Sequence, residues 1–213
     1  MESPPMQRTV PRHFSMLRGF HLADFFTLGN AACGVGAVFL AMLFMASGDL
    51  RHFLGAAALA PAALAFDVLD GRIARARHQH SPLGRELDSL SDVISFGVAP
   101  AALAFAAGID GGWDVAALVY FVCCGVSRLA RYNVTAEAMA ADAGKVTYFE
   151  GTPIPTSVLL AGVLALAAWQ DSLGDRLWGG VLALGPWELH PLALLFVLSG
   201  SLMISKTLHI PKP

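Results

Sequence analysis

Residues 25–46 read FFTLGNAACGVGAVFLAMLFMA, 22 consecutive positions without a charge. A helix needs about 20 such residues to cross the hydrocarbon core of a bilayer, so this run is read as a membrane span. The rest of the chain agrees with it. Of 213 residues, 55% are hydrophobic and 14% charged, and the mean hydropathy is +0.59. Soluble domains carry about 25% charged residues. These figures describe an integral membrane protein and exclude disordered, collagen-like and coiled-coil chains. Further apolar runs at 53–66, 93–109, 115–127, 153–170 and 191–205 bring the expectation to six transmembrane helices. The expected fold is all-α, a single membrane domain over 1–213. The stretch 177–187 is short and interrupted by glycine and proline, and is expected as an extramembrane or re-entrant loop.

Orientation follows from the basic residues. With six spans, Arg8, Arg12, Arg18, Arg72, Arg75, Arg77, Arg85, Arg128, Arg131, Lys145, Lys206 and Lys212 fall on one side of the membrane, and Arg51 and Arg176 on the other. Both termini are therefore expected in the cytoplasm. Residues 12–24 mix Phe14, Met16, Leu17 and Phe20 with Arg12, Arg18 and His21. That mixture suits an interfacial amphipathic helix or a juxtamembrane linker, so 1–24 is read as a cytoplasmic, interfacial segment. No secretory signal pattern is visible there. The net charge of −2 gives no basic field for nucleic acid, and Cys33, Cys123 and Cys124 all lie in apolar runs. An odd number of cysteines so placed argues against a disulfide framework or a zinc site.

The chemistry is concentrated in residues 67–92, DVLDGRIARARHQHSPLGRELDSLSD. Four carboxylates, Asp67, Asp70, Asp88 and Asp92, fall at or near the cytoplasmic ends of two neighbouring helices. A charge at a helix centre costs about 2.5–3.5 kcal/mol on insertion scales, so four acids call for a compensating partner. At about 100° per residue, Asp67, Asp70, Gly71 and Ala74 share an arc of roughly 100° on one helix. Gly84, Asp88 and Asp92 share a face of the next. Small residues on those faces let a flat ligand approach the backbone. Hard oxygen ligands suit Mg²⁺ or Mn²⁺, and a pair of such ions clamps phosphoryl oxygens during in-line displacement. An ion-pair network with Arg72, Arg75, Arg77 and Arg85 would also neutralise the acids, but leaves the small residues unexplained.

The pattern D-x-x-D-G-x-x-A-R-x8-G-x3-D-x3-D is met at Asp67, Asp70, Gly71, Ala74, Arg75, Gly84, Asp88 and Asp92. It resembles the signature of the CDP-alcohol phosphotransferase family. The resemblance implies a six-helix membrane fold, a homodimer, and transfer of a substituted phosphate from a CDP-linked donor to an alcohol. It also implies two divalent cations on Asp67, Asp70, Asp88 and Asp92, with Asp92 as general base. Asp67, Asp70, Gly71, Ala74, Arg75 and Gly84 would form the CDP site, with Thr27 and Asn30 of the first helix contributing.

Within the family, HLADFFTLGNAACG (21–34), SRLARYNVT (127–135), YFEGTPIPTS (148–157) and SKTLHIPKP (205–213) resemble the serine-transferring branch. A departure from the wider family is Ala23-Asp24, where a Pro-Asn pair often opens the first helix. This resemblance implies CDP-diacylglycerol and L-serine as substrates. Serine is a zwitterion and needs both a cation and an acceptor. Arg128 and Arg131 share a helix face and can each grip a carboxylate or phosphate, or anchor the helix at the interface. Glu150 is a candidate for the ammonium, and Asn133 and Lys145 for polar contacts. The alternatives are the same chemistry on glycerol 3-phosphate, inositol phosphate, inositol or choline. A cation transporter with the acids as its ion path is the alternative from another class.

Overall fold

A computed structural model of the chain describes residues 22–76, 82–141, 148–205 and 209–211. The interfacial helix expected at 12–24 lies outside them, except for its last three residues. These begin helix α1 (Leu22–Ser47), which packs along α2 (Leu50–Ala76). The reversal between them is made by Gly48, at φ 69°, whose N–H bonds to Phe44 O at 2.8 Å. A left-handed residue after the last helical turn is the usual glycine stop. Asp49 then accepts the Arg51 N–H at 2.9 Å and starts α2. Ala37, Ala41, Ala56, Ala60 and Ala63 are all buried. Small residues let helices approach closely where lipid supplies no hydrophobic drive.

Helix α3 (Pro82–Asp92) passes into a π-helical turn, Val93–Val98, and then into α4 (Ala99–Ala106). Within the turn, the Ala99 N–H bonds to Ile94 O, five residues back. Pro100 is the reason the sequence offers: it has no N–H for an α ladder, and its ring crowds the carbonyl four residues earlier. π-Turns inside helices commonly mark functional sites, and this one follows Asp92 directly.

Helix α5 (Gly112–Ala141) packs against α7 (Ala193–Ile204), with Phe121 and Phe196 edge to face at 5.3 Å. Between them a 3-10 turn, Ile154–Ser157, opens α6 (Val158–Trp169). Among the described residues, four helical stretches are long and apolar enough to cross a membrane: Leu22–Ser47, Leu50–Ile73, Leu83–Ala106 and Gly112–Thr135. Ile154–Trp169 and Ala193–Ile204 are shorter and equally apolar. Large side chains face outward, Phe39 at 60% and Leu159 at 73% exposure. The architecture is that of an all-α integral membrane protein.

Helices α1, α2 and α5 outrun the apolar stretches that announced them. The fourth run was expected to end at Arg128, yet α5 continues thirteen residues further, to Ala141. Composition marks where lipid ends, whereas backbone hydrogen bonding continues into polar surroundings. Two short antiparallel ladders also form. β1 (Tyr148–Glu150) pairs with β4 (His209–Pro211), and β2 (Leu182–Leu184) with β3 (Trp187–Leu189). The second occupies the stretch expected as a loop, and Gly185, at φ 67°, opens its two-residue turn.

This hairpin sits against the start of α5. Trp113 Nε1 donates to Leu184 O at 3.0 Å, and Trp113 and Trp187 meet edge to face at 5.0 Å. Asp114, fully buried, accepts from the backbone N–H groups of Gly111 and His190 and lies 2.6 Å from His190 Nδ1. The end of α4 is tied to the segment after α6, since the Gly174 N–H bonds to Ala107 O at 2.9 Å.

Candidate active site

The acidic residues gather at the other end of the molecule. Asp67 and Asp70 come from α2, and Asp88 and Asp92 from the end of α3. Carboxylate oxygens of Asp67, Asp70 and Asp88 lie within 4.8 Å of one another. Asp92, 6% exposed, interacts electrostatically with all three. Spacings of three and four residues put each pair on one helical face, and α1 closes the third side.

Thr27 Oγ1 donates to Asp70 Oδ2 at 2.8 Å, and Asn30 Nδ2 donates to Asp92 Oδ1 at 3.1 Å. Both were expected as contacts to the CDP group. In the structure they are buried donors to two of the carboxylates. One turn further into the membrane, Ser95 Oγ donates to Asn30 O at 2.8 Å. Gly34 lets this crossing close, because a Cβ there would lie 2.7 Å from Ser95 Cα. The π-turn that carries Ser95 is therefore held against α1 beside the residue that grips Asp92.

The donor set fits hard divalent cations. It consists of carboxylates alone, and Asp88 Oδ1 is buried without a hydrogen-bond partner among the described residues. Arg176 pairs with Asp171 and His190 with Asp114 at the opposite end. Mg²⁺ or Mn²⁺ takes oxygen ligands of this kind.

The remaining expected residues divide. Gly71 faces the Arg75 side chain, whose Nη1 would stand 3.5 Å from a Cβ at that position. Gly84 is half-buried near the start of α3, and Ala74 lies in α2 with its side chain outside the described set. Arg128 is half-buried, interacts electrostatically with Asp92, and has a buried Nε without a partner among the described residues. Arg131, one turn on, is also half-buried. Asn133 ties α5 to α3, donating to Ser89 Oγ at 3.0 Å and Glu86 Oε1 at 3.4 Å. Lys145 lies outside the described residues, as does the side chain of Glu150, whose backbone is in β1.

Four residues around the cluster escaped the sequence reading. Asp24 is 3% exposed and acts electrostatically on Asp70. It had been noted only as a departure, although it precedes Thr27 and Asn30 at the same three-residue interval. Ser95 and the Glu86–Ser89 pair carried no signal beyond their polarity beside the acidic motif.

Comparison with known proteins agrees with this geometry. Residues 20–203 match the CDP-alcohol phosphatidyltransferase family. The CDP-diacylglycerol–serine O-phosphatidyltransferase of Saccharomyces cerevisiae is 42% identical over 204 residues, covering 94% of this chain and 74% of the yeast protein. The enzyme of the same name from Mycobacterium bovis is 39% identical over 62% of this chain and 46% of its own length. The archaetidylserine synthase of Methanothermobacter thermautotrophicus is 35% identical over 71% of this chain and 60% of its own length. With the acidic signature converged on one site and the match running through nearly every described helix, the chain belongs to the CDP-alcohol phosphatidyltransferase family.

Proposed function

We propose that the chain transfers the phosphatidyl group of CDP-diacylglycerol to the hydroxyl of L-serine, giving phosphatidylserine and CMP. The observation that carries this reading is the convergence of Asp67, Asp70 and Asp88 beside Asp92. It occurs in a chain that aligns over 94% of its length with a yeast serine transferase.

Asp67, Asp70, Asp88 and Asp92 would hold two divalent cations, Mg²⁺ or Mn²⁺, which supply charge neutralisation at the diphosphate and at the departing CMP oxygen. Asp92 takes the proton of the serine hydroxyl as the new phosphorus–oxygen bond forms. Asn30 anchors Asp92 Oδ1 and leaves Oδ2 for that proton. Gly71, Ala74, Arg75 and Gly84 line the cytidine nucleotide. Arg128, beside Asp92, takes the serine carboxylate, and Arg131 the lipid phosphate. Lys145 and Glu150 remain candidates for polar contacts to the acceptor.

Six membrane crossings are part of the proposal, with both termini and the active site on the cytoplasmic side. Two ties support this reading. The β1–β4 ladder joins the segment after α5 to the one after α7, so α6 and α7 leave one side and return to it. The β2–β3 hairpin and Gly174 join α4, α5 and α6 at the other. The resemblance to the family supports a homodimer.

The test is CMP release by the purified protein in detergent with CDP-diacylglycerol and Mg²⁺ or Mn²⁺. L-Serine is compared with glycerol 3-phosphate, inositol phosphate, inositol and choline. Serine-dependent release that EDTA stops is expected. Release with another alcohol alone overturns serine as acceptor, and no release by folded protein with any of them overturns the enzymatic reading.

A further inference from the structure

Ser157 is fully buried, and its hydroxyl has no hydrogen-bond partner among the described residues. It stands at the N-cap of α6, where a serine ordinarily accepts a backbone N–H from the first turn. Here it makes no cap bond, because its backbone is already helical at φ −61° and ψ −16°. The nearby Pro153 carbonyl is taken by Thr156 Oγ1 at 2.7 Å. Thr152 repeats the pattern: its N–H bonds to Leu202 O at 3.2 Å, while its buried Oγ1 has no partner among the described residues. Leaving one buried hydroxyl unpaired is costly. Two such hydroxyls within six residues call for a polar ligand.

The location says which ligand. The Ile154–Ser157 turn packs against the π-turn that directly follows Asp92. On its other side, Ile154 Cδ1 fills the space above Gly125, 2.8 Å from where a Cβ would stand. Gly125 is one turn before Arg128 on the same face of α5, and Arg128 Nε is likewise buried without a partner among the described residues. The unpaired groups thus belong to two elements that meet beside the proposed base.

We propose that Thr152 and the Ile154–Ser157 turn form one wall of the acceptor pocket, with Ser157 Oγ and Thr152 Oγ1 accepting hydrogen bonds from the ammonium of the incoming amino acid. This rests on serine being the acceptor. A guanidinium is matched to a carboxylate and has no acceptor for an ammonium. Hydroxyl oxygens carry free lone pairs for the three ammonium N–H donors. The two ends of a zwitterion are then held by different elements, with its hydroxyl directed to Asp92.

The test uses the full chain in detergent with Mg²⁺ and CDP-diacylglycerol, following CMP release for wild type, Ser157→Ala and Thr152→Val. L-Serine is compared with 3-hydroxypropanoate, which lacks the ammonium, and ethanolamine, which lacks the carboxylate. Each substitution is expected to raise the serine KM about tenfold. The KM for CDP-diacylglycerol and the turnover of 3-hydroxypropanoate should stay within about twofold. An unchanged serine KM in both variants overturns the proposal. So does an equal loss for serine and 3-hydroxypropanoate, which marks a packing role, or a selective loss of discrimination against ethanolamine, which would put the hydroxyls on the carboxylate. Ser157→Cys, close in volume, replaces Ser157→Ala if the latter does not fold. If wild type gives no serine-dependent CMP, the acceptor reading itself fails in the wild-type arm, and this inference falls with it.

Discussion

Gly34→Ala probes the link between helix packing and Asp92, the proposed base. A Cβ on Gly34 would stand 2.5 Å from Ser95 Oγ, 2.7 Å from Ser95 Cα and 2.9 Å from Ser95 N. The side-chain oxygen can swing away, but the backbone atoms cannot. Restoring ordinary contact at the Cα needs a separation of roughly 0.7 Å between α1 and the π-turn, in an interior packed too densely to absorb it. The Asn30–Asp92 bond, now 3.1 Å, lies one turn away and would lengthen beyond hydrogen-bonding range. Overpacking of this kind costs about 1–3 kcal/mol of stability, and a displacement near 1 Å at reacting groups can cost about 100-fold in rate. The expected result is a kcat for CMP release lowered about 10–100-fold, with the KM for CDP-diacylglycerol nearly unchanged and a lower unfolding temperature in detergent. Gly162→Ala is the matched control, since nothing lies within 4 Å of its added methyl. It should match wild type or gain slightly through helix propensity. Wild-type kcat and unfolding temperature in Gly34→Ala would refute the reasoning.

Other expectations follow from the same geometry. Asp92→Asn should abolish transfer while CDP-diacylglycerol binding, measured by equilibrium titration, stays within about threefold; appreciable turnover would remove Asp92 as the base. Arg128→Ala should raise the serine KM about tenfold or more, because Arg128 is electrostatically coupled to Asp92, whereas Arg131→Ala should act mainly on the lipid KM. Equal effects of both variants on both substrates would assign the arginines to anchoring. Asp114→Ala deprives two backbone N–H groups and His190 of their acceptor. It should lower the unfolding temperature by the equivalent of about 2–4 kcal/mol, and the serine KM of the folded fraction should be unchanged.

The acidic motif was readable because its chemistry imposes fixed spacings on two helices. Asp67 and Asp70, or Asp88 and Asp92, can meet a common partner only at intervals of three and four. The spans were readable because 25–46 has no charge to interrupt it. What α1 contributes was harder to see. Thr27 and Asn30 stood out as polar residues in an apolar run, but only the packing of α1 on α2 and α3 shows that they bond to Asp70 and Asp92. Asp24 was overlooked because a carboxylate in a first helical turn has an ordinary explanation in the helix dipole. The strands at 182–189 are only three residues each, too short for alternation to announce them. Ser157 entered the sequence reading only as the last letter of 148–157, and its complete burial is visible only in the structure.

The π-turn at Val93–Val98 has a consequence for how this segment can tolerate insertions and deletions. Removing one residue there would let an ordinary α ladder run from Pro82 to Ala106, with no loss of helix length worth a bilayer's notice. A π-turn is an α-helix that has taken up one extra residue in a wider turn, so the deletion would leave Asp88 and Asp92 on the face they share with Asp67 and Asp70. What would go is the widened turn itself, which brings the Ser95 hydroxyl onto the Asn30 carbonyl. A one-residue gap between Asp92 and Pro100 would therefore keep the acidic face and loosen its tie to α1.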